Sequence, residues 1–279
     1  MRFLILTLLA VSIGTSLMLV GSTTSVTRAP RYAIADTAMP EVSALAWGIF
    51  DTDTGQLLLA HNADEQYPIA SVTKLMTAFV VLEDMDLAAT TSVSWRAVNT
   101  EGRAGRLVAN DVLFVRELLF PLLLESSNDA AEVLAEYFGR TDFINTMNAR
   151  ASMLGMRHTV YGDPSGLSPQ NVSSVSDLAT LLNYLAAYKR FPLDISLLQQ
   201  YVGTEHTWWN NSPAMTLVGY RGGKHGYTDE ANRTFAAIFA TGFESGYERE
   251  ITVVLLGSDD IVADIETLRG LVARFVHYE

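Results

Sequence analysis

The stretch from Pro68 to Glu83 reads P-I-A-S-V-T-K-L-M-T-A-F-V-V-L-E, and its pattern predicts a helix that is buried in the protein interior. After Lys74 nearly every residue is apolar, so apolar side chains would point in all directions around the helix, which is typical of an enclosed helix. Ser71 and Lys74 are three residues apart and therefore share one face of the first turn. Free N–H groups at a helix start favour negative charge, which suits a serine nucleophile.

The lysine content strengthens this interpretation. The chain has 19 lysine and arginine residues together, and counting along the sequence finds only three lysines: Lys74, Lys189 and Lys224. Arginine stays protonated, whereas a desolvated lysine can lose its proton and act as a base. Two simpler explanations stay open: Ser71 could only cap the helix, and the Lys74 stem could only cover apolar neighbours.

Composition limits the classes of protein that this chain can represent. Its 279 residues, 49% of them hydrophobic, can form one large domain or two lobes that share an interface. The formal net charge of −12 argues against a nucleic-acid partner, because nucleic acids bind basic surfaces. The absence of cysteine excludes disulfides and a cysteine nucleophile. The histidines show no zinc-binding spacing, so no metal is expected.

The first 35 residues have the pattern of a targeting segment. Arg2 precedes an apolar run from Phe3 to Gly21, and a stretch rich in serine and threonine follows. This pattern predicts either a signal peptide that is removed or an anchor that stays in the membrane, in both cases followed by a linker. We therefore expect the body, residues 36–279, to be exported to the periplasm or another extracytoplasmic space, with possible membrane association through the N-terminal segment.

The order of the predicted elements along the body indicates an α+β fold. Strand patterns come first, at Val42–Phe50 and Gln56–His61; helical patterns follow at 112–124, 129–138, 142–154 and 176–188; strands return at 214–220, 221–227, 233–240 and 250–256, before a last helix at 260–276. Pro121 is expected to kink or break the last turn of its helix.

Because strands usually lie beside their neighbours in sequence, these strands predict one antiparallel sheet built from both chain ends. The sheet lobe would comprise about residues 42–66 and 213–279, and the inserted helical lobe about residues 67–212. A cleft between the two lobes would be the natural place for a functional site.

Two further polar clusters would come close to Ser71 in this arrangement. The first is E-S-S-N-D, Glu125 to Asp129, which could also be a simple helix cap. The second is G-G-K-H-G, Gly222 to Gly226, which could also be only a turn. Glycines in a strand equally allow a ligand backbone to approach, and a sheet edge can pair with an extended peptide.

The motifs S-V-T-K, S-S-N and K-H-G, in this order, resemble those of the low-molecular-weight penicillin-binding proteins, the serine D-alanyl-D-alanine carboxypeptidase and endopeptidase family. The segments D-P-S-G-L-S-P-Q-N-V-S-S and N-N-S-P are most similar to the D,D-endopeptidase branch. The resemblance covers about Val42 to Val276 and implies a β-lactamase/transpeptidase-like fold.

The resemblance also implies roles for individual residues. Ser71 would attack the substrate carbonyl and form an acyl-enzyme, neutral Lys74 would take its proton, and Ser126 would relay a proton to the leaving amine. The backbone N–H groups of Ser71 and Tyr227 would form the oxyanion hole. The substrates would be peptidoglycan peptides, with β-lactams as covalent inhibitors and without a metal or organic cofactor. The implied substrate-binding residues are Asn128, Lys224, His225, Gly226, Tyr227 and Arg233.

One departure from the family pattern concerns substrate binding. His225 stands where the family usually has a threonine that helps to bind the substrate carboxylate. An unperturbed imidazole titrates near pH ~6.5, so we expect substrate binding to strengthen as the pH falls through this titration. Lys224 would disfavour the imidazolium, and a bound carboxylate would favour it. In the alternative interpretation, His225 only packs on the other face of its strand.

Two rival functions stay open at this stage. A class A-like β-lactamase would need a glutamate between the second and third motifs, but residues 137–204 contain none. A catalytically impaired protein that still binds β-lactams or peptidoglycan would explain the unusual His225, although the other motif residues are intact.

Overall fold

The structure is a computed structural model that describes residues 31–32, 40–102, 104–243, 246 and 248–277. The expected targeting segment therefore lies almost entirely outside the described residues. Among the residues that the structure does describe, no helix has both the length and the apolar character that crossing a bilayer requires.

Five antiparallel strands from both ends of the chain form the central sheet, which confirms the predicted α+β fold. The strands are β1 (Ala46–Asp51), β2 (Leu57–His61), β3 (Tyr220–Thr228), β4 (Asn232–Gly242) and β5 (Glu248–Ser258). Their order across the sheet is β3-β4-β5-β1-β2, so the pairing of β5 with β1 joins the two chain ends. Strand β3, which carries the K-H-G motif, lies at one edge of the sheet.

The alternation of side chains along these strands separates two hydrophobic cores. On β4, Ala236 and Ile238 belong to one core, whereas Phe235, Ala237 and Phe239 belong to the other. Strands β1 and β5 alternate in the same way, as expected for a period of two residues. One face of the sheet is therefore covered by the helices of the middle of the chain, and the other face by the last helix.

The helices lie between the two groups of strands, except for the last one. Ser71 lies in a short 3₁₀ turn, Ala70–Thr73, that leads directly into the first helix. The helices are α1 (Lys74–Asp84), α2 (Val115–Leu124), α3 (Asn128–Phe138), α4 (Arg140–Met153), α5 (Val175–Tyr188), α6 (Phe191–Ile195) and α7 (Ile261–Phe275). Helix α1 is buried on all sides over most of its length, which confirms the prediction from its apolar sequence.

Short elements complete the described fold. Further 3₁₀ turns lie at Ala97–Asn99 and Pro213–Thr216. Short antiparallel pairs form between Arg31–Tyr32 and Val276–His277, Tyr67–Pro68 and Val172–Ser173, Thr90–Ser92 and Val112–Phe114, and Gln200–Val202 and Thr207–Trp209.

Two local predictions are wrong. Helix α2 is not broken at Pro121 but continues to Leu124; the proline is buried among leucines, and this packing outweighs the hydrogen bond that its missing N–H cannot make. Of the strand predicted at 214–220, residues 214–219 do not form a strand. Instead, the Ser212 hydroxyl accepts a hydrogen bond from the Ala214 N–H at 3.3 Å and starts a turn, and β3 begins only at Tyr220.

Candidate active site

The Lys74 side chain lies at the centre of the site and is completely buried. Its Nζ atom is 2.9 Å from the hydroxyl oxygen of Ser71, because the 3₁₀ turn places the two residues on one side of the chain. Ser71 itself is partly exposed, so its hydroxyl can meet a ligand while the amine stays out of water. This pairing is the one expected of a nucleophile and its base.

Two further contacts orient the amine. Lys74 Nζ lies 2.7 Å from the side-chain carbonyl oxygen of Asn128 and 2.6 Å from the backbone carbonyl oxygen of Ser165. Both oxygens can only accept hydrogen bonds. A neutral amine has two N–H groups and one lone pair, so donation to these two oxygens directs the lone pair at the Ser71 hydroxyl. The geometry thus suits a neutral Lys74 that accepts a proton from Ser71.

The electrostatic surroundings favour this neutral form. Burial lowers the pKa of Lys74 well below its usual value, and the nearby Lys224 amine lowers it further, whereas the Asp163 carboxylate raises it. Burial also lowers the pKa of Lys224 to about 7. The Lys224 amine donates a hydrogen bond of 2.8 Å to the carbonyl oxygen of His225. The site therefore holds two desolvated amines, of which only Lys74 contacts the serine hydroxyl.

The loop from Asp163 to Ser168 forms one wall of the site. Besides the Ser165 carbonyl, its Pro164 carbonyl accepts a hydrogen bond of 2.6 Å from the Thr77 hydroxyl on α1. A Cβ atom on Gly166 would lie 1.9 Å from the Ala70 carbonyl oxygen, so only glycine allows this close approach. The loop is thus pressed against the turn that carries Ser71.

The edge strand β3 forms the opposite wall. A Cβ atom on Gly226 would lie 2.5 Å from the Ser71 backbone nitrogen, so β3 passes directly beside the nucleophile. Next to it, the Thr234 hydroxyl on β4 donates a hydrogen bond of 2.9 Å to the Ile69 carbonyl. Strands β3 and β4 therefore hold the start of the 3₁₀ turn in place.

Two non-glycine residues of the site have backbone angles in the left-handed region. Ala70 has φ +45° and Ser126 has φ +61°. Such conformations cost about 1–3 kcal/mol each and persist only where the surroundings enforce them. Ala70 immediately precedes Ser71, and Ser126 lies within the second motif. The strain therefore falls on the two motifs that would carry the chemistry.

The second motif is tied to the segment around residues 101–105. Ser127 caps α3 by accepting a hydrogen bond of 3.0 Å from the Ala130 N–H, and its hydroxyl donates to the Ala104 carbonyl at 2.6 Å. The Asn128 side-chain NH₂ group donates to the Glu101 carbonyl at 2.8 Å, which leaves its oxygen for Lys74. The capping interpretation is therefore confirmed for Ser127, and the neighbouring Asn128 contacts Lys74.

His225 lies within the electrostatic range of both amines. Burial lowers its pKa to about 2, and Lys224 and Lys74 each contribute to the decrease. These contributions act through space, whereas the strand pairing is local: Lys224 lies opposite Ala236 of the core under the helices, and His225 lies opposite Phe235 of the core under α7. The alternation along β3 therefore favours the interpretation that His225 packs on the other face of the strand. Its Nδ1 atom is buried and has no hydrogen-bond partner among the described residues. The expected titration near pH 6.5 is wrong for the free protein, because desolvation keeps the ring neutral.

The remaining predicted residues line the exposed end of the site. Tyr227 is largely exposed, and the guanidinium carbon of Arg233 lies 5.9 Å from the centre of its ring. A cleft of about 350 Å³ opens beside Tyr227, and it is lined by Glu101, Gly102, Leu167, Tyr227, Thr228, Asp229 and Glu230. Within the described ranges, no three side chains of the metal-binding types are grouped as a metal site would require.

Residues that sequence reasoning missed act mainly through backbone atoms. The Ser165 carbonyl and the Glu101 carbonyl have no signal in the residue type, because every residue has a carbonyl group. The segment D-P-S-G-L-S-P resembles the family, but this similarity implies no role for the Ser165 carbonyl.

The fold and this site together define a protein of the penicillin-binding class. The family model described as D-alanyl-D-alanine carboxypeptidase matches residues 33–258, and the chain belongs to this family. Similarity to solved structures agrees. Penicillin-binding protein 6B from Escherichia coli superposes with a TM-score of 0.75 at 26% identity, over 88% of this chain and 80% of that one.

Penicillin-binding protein D2 from Listeria monocytogenes, in its cefotaxime-bound form, gives a TM-score of 0.73 at 26% identity, over 85% of this chain and 98% of that one.

Curated relatives include both kinds of peptidase. A D-alanyl-D-alanine endopeptidase from Pseudomonas aeruginosa is 37% identical over 186 residues, which are 63% of this chain and 56% of the relative. The D-alanyl-D-alanine carboxypeptidase DacB2 of Mycobacterium tuberculosis is 31% identical over 212 residues, 73% of each chain. The chain spans about half the length of the first two curated relatives, with 56% and 53% of each covered.

Proposed function

We propose that this protein is a serine-type D-alanyl-D-alanine peptidase that acts on peptidoglycan stem peptides through an acyl-enzyme. The observation that carries the proposal is the buried Lys74 amine 2.9 Å from the Ser71 hydroxyl, with acceptors at its other two contacts. A hydroxyl is a weak nucleophile until a base removes its proton, and a lysine with a lowered pKa is such a base.

In the proposed acylation step, Ser71 attacks the carbonyl carbon of the penultimate D-alanine. Its proton passes to the lone pair of Lys74, and the carbonyl oxygen becomes an oxyanion facing the backbone N–H groups of Ser71 and Tyr227. The C–N bond then breaks, and Ser126 relays the proton from Lys74 to the leaving amine, which returns Lys74 to its neutral form. Water next attacks the ester and gives a proton to Lys74, which passes it to the Ser71 oxygen as the ester C–O bond breaks and the peptide leaves with a new carboxylate. No metal or organic cofactor takes part.

Substrate binding is assigned to the edge strand β3. Lys224 supplies positive potential for the carboxylate beside the scissile bond, and a bound anion would raise the pKa of its amine from about 7. His225 stands in place of the usual threonine, and its position opposite Phe235 leaves the carboxylate to Lys224. Gly226 allows the strand to approach Ser71, and Tyr227 lines the exposed cleft with Arg233 over its ring. Asn128 holds both Lys74 and the substrate amide.

The proposed place of action is the extracytoplasmic cell wall, since peptidoglycan lies there. The targeting pattern of residues 1–35 agrees with export, either to the periplasm or with the N-terminal segment as an anchor. The test is fractionation: the protein should be recovered outside the cytoplasmic membrane, and recovery mainly from the cytoplasm would contradict the assignment.

Covalent labelling with a fluorescent penicillin tests the chemistry. A β-lactam presents Ser71 with a strained amide, so wild-type protein should carry the label and Ser71→Ala should not. Labelling of Ser71→Ala would remove Ser71 as the nucleophile. An unlabelled wild-type protein would contradict the proposed function, and rapid release of hydrolysed penicillin would favour the β-lactamase alternative.

Digestion of purified muropeptides decides between the two peptidase reactions. Carboxypeptidase activity would remove the last D-alanine from pentapeptides, and endopeptidase activity would split crosslinked dimers. Mass spectrometry of the products distinguishes the two. Both substrates place a carboxylate next to the leaving amine, so the Lys224 assignment fits either. Labelling by penicillin without turnover of either muropeptide would favour an impaired binding protein.

A further inference from the structure

The carboxylate of Asp163 organises the loop that contacts Lys74. This side chain is 7% exposed, and its Oδ1 atom accepts hydrogen bonds from the Ser165 N–H at 2.7 Å, the Ser165 hydroxyl at 3.0 Å and the Gly166 N–H at 2.6 Å. Its Oδ2 atom accepts from the Ser168 N–H. One carboxylate thus satisfies four donors of the loop and determines the direction of the carbonyl groups between them.

The loop is also attached at its other surfaces. Asn171 is buried, accepts hydrogen bonds from the Gly162 and Asp163 N–H groups, and donates to the Thr73 hydroxyl at 3.0 Å. Thr77 on α1 holds the Pro164 carbonyl at 2.6 Å. The loop is therefore anchored to the turn and to the helix that carry Ser71 and Lys74.

We propose that Asp163 is a positioning residue of the peptidase site, which folds the loop so that the Ser165 carbonyl binds one N–H of Lys74 and thereby directs the amine lone pair at Ser71. This inference rests on the proposed function. Asp163 acts through Ser165 and does not touch the substrate. Without its carboxylate, four buried or partly buried donors lose their acceptor, and the loop carbonyl would leave the amine.

This role differs from a purely structural one in a measurable way. The Ser165 carbonyl and the Asn128 oxygen together orient the neutral amine, so displacement of one of them affects proton transfer from Ser71 rather than substrate affinity. In addition, the negative charge of Asp163 raises the pKa of Lys74. Replacing Asp163 with asparagine keeps the Oδ1 contacts and removes the charge. The acid limb of the acylation profile should therefore move to lower pH.

The experiment measures the second-order rate of acylation by fluorescent penicillin from pH 5 to pH 9 in the full chain. Asp163→Ala should lose about 100-fold in acylation rate, the size of effect that a small misplacement of a catalytic group produces. Asp163→Asn should lose less and should show the shifted acid limb. Thr77→Val, which removes the attachment of the loop to α1, should also slow acylation.

Asp264 provides the matched control. It is also a buried carboxylate, 4% exposed, and it accepts hydrogen bonds from the Ser43 N–H, the Ser43 hydroxyl and the Ser258 hydroxyl, but it lies on α7, on the other side of the sheet. Asp264→Asn should lower the melting temperature and leave the acylation rate and its pH profile unchanged.

The outcomes separate this inference from the proposed function. If wild type is labelled and Asp163→Ala, folded by circular dichroism, is labelled at the wild-type rate, only the positioning role is overturned. If Asp163→Ala does not fold, the other two variants decide. The role is overturned if the acid limb of the acylation profile is unmoved in Asp163→Asn and Thr77→Val is acylated at the wild-type rate. If wild type itself is not labelled, the proposed function fails and this role with it.

Discussion

The two cores on either side of the central sheet are built from similar apolar residues but differ in what lies at their margins. The core under the helices is bordered by the buried Lys74, Asn128 and Asp163, which contact one another through the loop and the 3₁₀ turn. The core under α7 is bordered by Asp264, which only joins α7 to the ends of strands. The same type of group, a buried carboxylate, thus orders the loop beside Lys74 on one side and joins α7 to neighbouring segments on the other.

This difference shows where the features that reduce the stability of the molecule lie. A desolvated amine, the left-handed residues Ala70 and Ser126, and a loop in near contact with the turn that carries Ser71 lie on the site margin. Each of these reduces stability, and the apolar packing of both cores offsets the cost. Substitutions on the two sides should therefore separate activity from stability.

The largest effect is expected from Lys74→Arg. A guanidinium stays protonated and cannot accept the Ser71 proton, so acylation by penicillin should fall by about 10²- to 10⁴-fold, the usual contribution of a general base. Lys224→Arg keeps the positive charge that its proposed role needs, and it should retain far more activity. Substantial acylation by Lys74→Arg would remove Lys74 as the base.

A large effect is also expected from Gly166→Ala. The added Cβ atom would lie 1.9 Å from the Ala70 carbonyl oxygen, so the loop must move away from the nucleophile turn, and acylation should fall by about 100-fold. Gly155→Ala is the matched control, since Gly155 also has a positive φ, +79°, but its added Cβ would meet nothing within 4 Å. This control should lose only about 1–2 kcal/mol of stability and keep its acylation rate. Equal losses of activity would show that the backbone angle, not the contact, matters at Gly166.

A moderate effect on stability is expected from substitutions that empty a site in one core or in the other. Ile265→Ala on α7 and Leu75→Ala on α1 each empty a fully buried site, so each should lower the free energy of unfolding by about 2–5 kcal/mol in denaturant titration. Only Leu75→Ala, next to Lys74, should also slow acylation of the folded protein. Slowed acylation in Ile265→Ala would mean that the site senses both cores.

A smaller effect concerns the pH dependence of substrate binding. The pKa of Lys224 is about 7 in the free protein, so its amine is charged below pH 7 and loses its proton as the pH rises through that value. A peptide that ends in D-Ala-D-Ala carboxylate should therefore bind the acylation-deficient Ser71→Ala variant more tightly at pH 6 than at pH 8, by calorimetry. The same peptide with a terminal amide should show no such change, and identical pH dependence for both peptides would contradict the assignment.

The smallest effect is expected from His225→Thr. With a pKa of about 2, the ring of His225 is neutral throughout the range in which the enzyme would work. The acylation profiles of wild type and His225→Thr should therefore have the same shape between pH 5 and pH 8. A wild-type profile that loses its acidic side in His225→Thr would show that the imidazole titrates during binding.

The parts that could be predicted from the sequence depend on residue types and short spacings. The apolar run after Lys74 indicates a buried helix because no face of the helix is polar. The nearly continuous apolar runs of β4 and β5 indicate strands that are covered on both faces. The Ser71–Lys74 pair could be found because serine and a rare lysine share one turn. The predicted break at Pro121 was wrong, because local propensity does not include the packing of α2 against its neighbours.

The tertiary structure alone decided the contacts made by backbone atoms and by residues far apart in sequence. The Ser165 carbonyl reaches Lys74 across 91 residues, and the Thr234 hydroxyl reaches the Ile69 carbonyl across 165. Burial, which lowers the pKa of both His225 and Lys74, is likewise a property of the folded surroundings and not of the residue. The sequence by itself therefore determined which groups are available for chemistry, and the fold determined their protonation and direction, because both depend on what is packed against them.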